Sequence, residues 1–230
     1  MAFTGFGNSF FGFFNELQSN NNRDWFNANK SRYENDVASP CLDFIEAMQG
    51  PLADISPHFR AIPKKIGGSM FRIYRDTRFS KDKTPYKTNA GLHFRHELGK
   101  DAHAPGFYLH LAQDDIFMGA GLWKPPAPAL AQIREAIDKK PKEWMKAKTD
   151  PDFVKTIGEL AEGNPLIRAP KGYDEDHPMI EDLKKRSFFM VTQGTRKQAA
   201  RPDFVDQVTG VFKDTAPVVR FLTRAVDAPF

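Results

Sequence analysis

The stretch Gly106-Phe107-Tyr108-Leu109-His110-Leu111-Ala112-Gln113-Asp114-Asp115-Ile116-Phe117-Met118-Gly119-Ala120-Gly121-Leu122-Trp123 decides the fold. It holds two runs of period-two alternation separated by a short polar turn at Gln113-Asp114-Asp115, which predicts an antiparallel hairpin. Side chains alternate across a strand, so each run sorts into two faces. Phe107, Leu109 and Leu111 share one face, with Tyr108 and His110 opposite; Ile116, Met118, Ala120 and Leu122 share the next, with Phe117, Gly119, Gly121 and Trp123 opposite. Upstream, Thr88 to Glu97 sets Leu92 and Phe94 against Gly91, His93 and Arg95. A further strand is expected over Gly68 to Phe79, with Phe71, Ile73, Arg75 and Thr77 toward the core and Met70, Arg72, Tyr74, Asp76 and Arg78 on the opposite face. Four strands in sequence order make a meander, and the short apolar run Ser187 to Val191 would make a fifth.

Helical signals flank this sheet. Phe6, Phe10, Phe13, Phe14 and Leu17 recur at helical spacing, and Asp24 is placed to cap a second helix through Trp25, Phe26, Tyr33, Val37, Phe44 and Ile45, kinked at Pro40. After the sheet, a helix runs from Leu130 through Ile137. Asp150-Pro151 reads as an N-cap followed by an N1 proline, and Pro202 to Val226 reads as a helix pair around Pro217. The expected architecture is α+β: a central antiparallel meander of four or five strands flanked by N-terminal and C-terminal helices. Residues 1–230 are expected to form one domain, helical over 1–60, sheet over 67–123 and helical over 126–230.

The chain has 230 residues, 40% hydrophobic and 13% aromatic, enough to bury a core and exclude simple disorder. Its 33 basic and 29 acidic residues give a net charge of only +4. That charge is unevenly spread: Arg60 to Arg95 holds ten basic and two acidic residues, a local excess of eight. The rest, 23 basic against 27 acidic, carries −4. Cys41 is the sole cysteine, so no internal disulfide and no cysteine zinc cage forms, which suits a reducing cytosol. The first Lys or Arg is Arg23, so the Phe-rich start does not read as a signal peptide, and no apolar run is long enough to span a membrane. A cytoplasmic protein is expected.

On the second face of the strands, arginine, histidine, tyrosine, tryptophan and glycine replace the Lys, Glu, Thr and Ser of a merely solvated sheet. Guanidinium groups clamp phosphate or carboxylate, so Arg72, Arg78, Lys83, Lys87 and Arg95 are candidate anion ligands, with Asp76 as the internal partner that orients the arginines. Tyr74, Tyr108 and Trp123 would stack on or line the site, and His110 or His93 would serve as general acid or base. Two alternatives stand beside this small-ligand pocket: a sheet that stacks bases of nucleic acid, or an arginine face that contacts another protein. No Walker loop, dinucleotide fingerprint or hydrolase elbow occurs, and no cofactor is implied. His93, His96, His103 and His110 lack nearby carboxylates, and Asp174-Glu175-Asp176-His177 reads as a solvated loop, so no metal is expected.

The signature Arg72-x-Tyr74-Arg75-Asp76-x-Arg78-Phe79-Ser80-x-Asp82-Lys83-x-Pro85-Tyr86-Lys87 is long and specific. With Gly106-x-Tyr108-x-His110, Gly119-x-Gly121-x-Trp123 and Pro217-Val218-Val219-Arg220-Phe221-Leu222, it resembles domain-of-unknown-function family 2461 over nearly the whole chain, Phe10 to Ala225. The resemblance implies a conserved hypothetical protein of bacteria or fungi and a single globular unit. It brings no established activity and no catalytic residues.

Overall fold

The computed structural model describes residues 3–99 and 105–230; His103, one of the four histidines considered as metal ligands, lies outside them. Helix α1 (Asn8–Ser19) buries Phe10, Phe11, Phe13, Phe14 and Leu17, and Phe6 packs just ahead of it. Helix α2 (Arg23–Ala28) is capped by Asn22, whose side chain accepts from the Trp25 amide, so the cap falls two residues before the expected Asp24. Asp24 instead occupies the first turn, where its charge meets the positive end of the helix. The chain continues through α3 (Lys30–Arg32), a π-helical turn (Tyr33–Ala38), α4 (Ser39–Ala47) and α5 (Gln49–Ile55). The wide turn has a local cause in Pro40, which cannot donate a helical hydrogen bond and whose ring crowds the preceding turn. Ser39 N–H reaches back five residues to the Glu34 carbonyl, carrying the helix past it.

The sheet is antiparallel, in the order β1 (Asn89–Arg95), β2 (Gly106–Ala112), β3 (Ile116–Leu122) and β4 (Phe188–Gln193). The protein is therefore α+β with an open four-stranded meander. The membership agrees with expectation at one edge and differs at the other: Ser187 to Val191 contributes β4, whereas Gly68 to Phe79 forms no strand. That segment pairs with β1 only locally, through Phe71 N–H to Gly91 O (2.9 Å) and His93 N–H to Ser69 O (2.7 Å). A bend at Ile73 then breaks the alternation and turns the chain back on itself, where Lys87 N–H donates to Ile73 O and Arg75 N–H to Pro85 O. Met70 and Ile73 are consequently the buried pair, and Phe71, expected in the core, lies over the opposite sheet face.

Helices α6 (Ala127–Lys139), α7 (Pro141–Lys148), α8 (Pro151–Thr156) and α9 (Ile180–Leu183) connect β3 to β4, and α10 (Arg196–Ala199) leads into α11 (Phe204–Ala225). Asp150 caps α8 as expected, accepting from the amides of Asp152 and Phe153. Helix α11 is continuous and not a helix pair. Pro217 removes one backbone donor, but Lys213, whose carbonyl loses it, is exposed to water, while core residues on both sides keep the helix continuous. Phe212 lies 4.8 Å from Phe107 and 5.9 Å from Phe94, ring centre to ring centre, which seats α11 on the inward face of β1 and β2. Its buried Thr209, Thr215 and Thr223 hydroxyls donate to carbonyls one turn back, so no polar group is stranded there. Helices α4 and α11 pack against the sheet on its inward face, and on the opposite face the sheet's own side chains meet Phe71 from the preceding segment.

Candidate functional site

The strand register arranges the second face in three rows: Gly91, His110, Phe117 and Gln193; His93, Tyr108, Gly119 and Val191; Arg95, Gly106, Gly121 and Phe189. Two glycines make room for side chains that cross diagonally between strands. A Cβ at Gly91 would lie 2.6 Å from the Tyr108 hydroxyl, and one at Gly106 would lie 2.6 Å from His93 Nε2. Tyr108 thus leans over β1 and His93 leans over β2. At Gly121 the backbone itself requires glycine, with φ +112° and the Phe188 carbonyl 2.2 Å from where a Cβ would stand.

Between these groups opens a cavity of about 530 Å³. Phe71, Tyr108, Phe117, Trp123 and Phe189 wall it, His93 and Val191 contribute at its middle row, and Gly106, Gly119 and Gly121 form the floor. Trp123 meets Phe189 edge to face at 4.8 Å, and the Lys124 ammonium lies 5.3 Å from its ring centre. His93 is buried, with its ring directed over Gly106 into this cavity.

His110 stands behind the wall. It stacks on Phe117 at 4.5 Å with the planes 5° apart, and its Nδ1 lies 3.1 Å from the Tyr108 hydroxyl. Burial pushes the Tyr108 phenol up to about 12, helped by the nearby Asp115 carboxylate, so it is an O–H donor at neutral pH. Burial also lowers His110, against a smaller opposing pull from Asp115. A neutral His110 that accepts from Tyr108 at Nδ1 carries its proton on Nε2, which faces Asp115 Oδ2 at 3.9 Å.

The basic segment knits largely to itself. Arg78 forks onto Asp76 (2.9 and 2.7 Å), as expected of Asp76, and Arg75 is held by Asp82 and Thr84. The Arg78 hydrogen bonds hold the Asp76 carboxyl at about 2; the Thr84 amide and then Arg75 do the same for Asp82. Lys83 donates to the Thr77 carbonyl, and Tyr74 leans on Tyr86 and Phe26. Phe79, at the tip, is 95% exposed. Lys87 alone reaches the cavity wall: its ammonium donates to Arg72 O at 2.9 Å and sits 5.3 Å over the Phe71 ring. Burial lowers its pKa, with Arg72 adding to the effect.

Of the residues singled out from sequence, the structure gathers His93, Tyr108 and Trp123 on one cavity. It places Lys87 at its Phe71 wall and Arg95 on the same face of β1. Arg72, Tyr74, Asp76, Arg78 and Lys83 do not line it, and His110 touches it only through Tyr108 and Phe117. Phe71, Phe189 and Val191 were not among the expected site residues. The last two lie on the strand expected over Ser187 to Val191, and sorting its faces would have found them, since Phe188 and Met190 alternate with them toward the core. His96 lies elsewhere, donating from Nε2 to the Pro229 carbonyl (2.8 Å) while its Nδ1 accepts from Leu98 N–H. Among the described residues, Asp174 to His177 is tied down by Glu175–Lys184 and His177–Asp138 pairs.

An α+β chain with an aromatic cavity on the uncovered face of its meander is the class that fold and site define. Residues 9–221 match the family described as conserved hypothetical protein (DUF2461), nearly the whole chain, and the protein belongs to that family. Neither a curated protein nor a solved structure matches it. Among the described residues, no helix is long and apolar enough to cross a membrane.

Proposed function

We propose that the protein binds a small organic anion whose flat apolar body fills the sheet-face cavity and whose phosphate or carboxylate meets the basic rim at Lys87, with Arg95 contributing from the same face. The cavity itself carries this reading. Its roughly 530 Å³ falls within the size of small-molecule sites, and rings walling a glycine floor favour a planar guest. His93 is the imidazole whose ring enters the cavity, so proton exchange with a bound molecule is assigned to it, and His110 serves to hold Tyr108. A buried sole cysteine fits a reducing, cytoplasmic setting.

The test is a fluorescence titration with anilinonaphthalene sulfonate, an anionic aromatic probe, beside its neutral analogue phenylnaphthylamine. Saturable binding of both is expected, with Lys87→Gln weakening the anionic probe about tenfold, ~1.4 kcal/mol, and sparing the neutral one. Absence of saturable binding, or an equal response of both probes to the substitution, overturns the reading. A nucleic-acid surface would instead show oligonucleotide affinity falling steeply with salt, because each neutralised phosphate releases counterions.

A further inference from the structure

A second cavity, about 190 Å³, lies away from the sheet face, between α6, α7 and the C-terminal end of α11. Lys140, Arg220 and Arg224 line it with a single acid, Glu143, so its charge is three minus one, or +2. Arg220 and Arg224 stand one turn apart on α11, a like-charge spacing that costs a helix stability unless something else is gained. Among the described residues, no carboxylate pairs with any of the three cations. Five of the other arginines hold a carboxylate: Arg32 on Glu16, Arg60 on Glu97, Arg75 on Asp82, Arg78 on Asp76 and Arg201 on Asp203.

Helix polarity accounts for a cation in the last turn of α11, hence for Arg224. The same polarity favours Lys140 at the C-cap of α6, but it does not account for Arg220, which stands one turn before the end of α11. Arg220 is held in place, its guanidinium 4.9 Å from the centre of the Phe230 ring, which packs in turn on Phe59. The Pro217–Leu222 motif divides accordingly: Val218, Val219, Phe221 and Leu222 are buried in the core, Pro217 and Arg220 line the groove, and Phe221 also forms part of its wall. Core packing explains the buried residues, whereas Arg220 is exposed and lies over Phe230 at the edge of the groove.

We infer that this groove is a binding site for a phosphoryl dianion carried on a small organic group. The +2 balance matches a phosphomonoester, two arginines and a lysine supply its donors, and Pro217 and Phe221, with Ala136 and Ala147, give the organic part an apolar wall. The site is independent of the sheet-face cavity.

The test follows the arginine side-chain NH signals by NMR during titration with inorganic phosphate and with phenyl phosphate, at fixed chloride. Both should move the Arg220 and Arg224 signals saturably, phenyl phosphate binding about tenfold tighter. Arg220→Gln and Arg224→Gln should each weaken both at least tenfold, and Lys87→Gln should bind as the unaltered protein does. Both arginines are exposed, so the variants should keep their amide spectra; should α11 be disturbed, Lys140→Gln reads the same site from outside that helix. Signals that do not saturate, affinities unchanged in the Gln variants, or a loss that follows Lys87→Gln would each overturn the inference.

Discussion

Gly119 offers a way to separate the cavity from the fold. An added Cβ there would lie 3.5 Å from the Met190 carbonyl and 3.9 Å from Tyr108 Cβ, both ordinary contact distances. The backbone therefore accepts Ala at position 119 without strain, and removing a glycine from a strand interior should raise stability by about 0.5–1 kcal/mol. In a chain of this size that is a rise of about 2 °C in Tm. The same methyl projects from the cavity floor, where a planar guest must rest. Forcing a guest over one extra methyl should cost about 1–3 kcal/mol, a fivefold or larger loss of affinity. Gly121→Ala is the contrast: the positive φ and the 2.2 Å approach to the Phe188 carbonyl predict a loss of about 2–3 kcal/mol in stability. The measurements are urea midpoints and anilinonaphthalene sulfonate titrations on the three proteins. A Gly119→Ala protein less stable than its parent, or one that binds the probe within twofold of it, would refute the reasoning.

Three further outcomes are expected. Asp182 is buried and accepts from Trp144 Nε1 (2.8 Å) and Lys148 Nζ (2.7 Å), so Asp182→Ala, which strands an indole N–H and an ammonium, should lower urea stability by about 3–4 kcal/mol; a loss under about 1 kcal/mol would show the pair to be dispensable. Asp82 is held at about 2, below its ordinary carboxylate value, so the contacts ordering the 75–84 loop should be at full strength above about pH 4 and vanish as pH falls through about 2. A carboxyl-carbon NMR titration with an ordinary midpoint would contradict this. His110 is lowered by burial, so below about pH 6.5 the unfolded chain binds a proton that the folded one resists, and stability should decline on acidification until the folded His110 titrates. His110→Phe should flatten that part of the urea-midpoint profile, and a stability that rises on acidification through this range would rule the account out.

The hairpin from Gly106 to Trp123 was legible because it is local. Phe107, Leu109 and Leu111 face the core, Tyr108 and His110 do not, and the turn falls at Gln113 to Asp115, since short-range alternation and turn chemistry fix all three. Gly68 to Phe79 shows the same alternation and still forms no strand. Its fate depends on the bend at Ile73 and on pairing with Pro85 and Lys87, contacts that alternation does not encode. The charge excess was legible as a count, but a count does not name partners. Asp76 and Asp82 engage Arg78 and Arg75, so much of the apparent positive field is tied up within the loop, and Lys87 is left to reach the cavity wall. β4 joins β3 from more than sixty residues away, a tertiary pairing that no short window can reveal.

The glycines of the open face decide what that face is for. Each glycine in a strand interior costs about 0.5–1 kcal/mol relative to alanine, so Gly91, Gly106, Gly119 and Gly121 together remove on the order of 2–4 kcal/mol from a net stability that is itself only about 5–15 kcal/mol. Three of them have reasons internal to the fold. Gly91 admits the Tyr108 hydroxyl, Gly106 admits His93, and Gly121 takes a backbone conformation and a carbonyl approach closed to other residues. Gly119 has none of these: its φ is ordinary and its nearest neighbour is 3.5 Å from where a Cβ would stand. What a side chain at 119 would occupy is the cavity floor, between Tyr108 and Val191 in the register. A residue that the fold would accept as alanine, and that is glycine only where a ring must lie flat, is what a sheet face shaped for a planar guest requires, and a face shaped only for water does not.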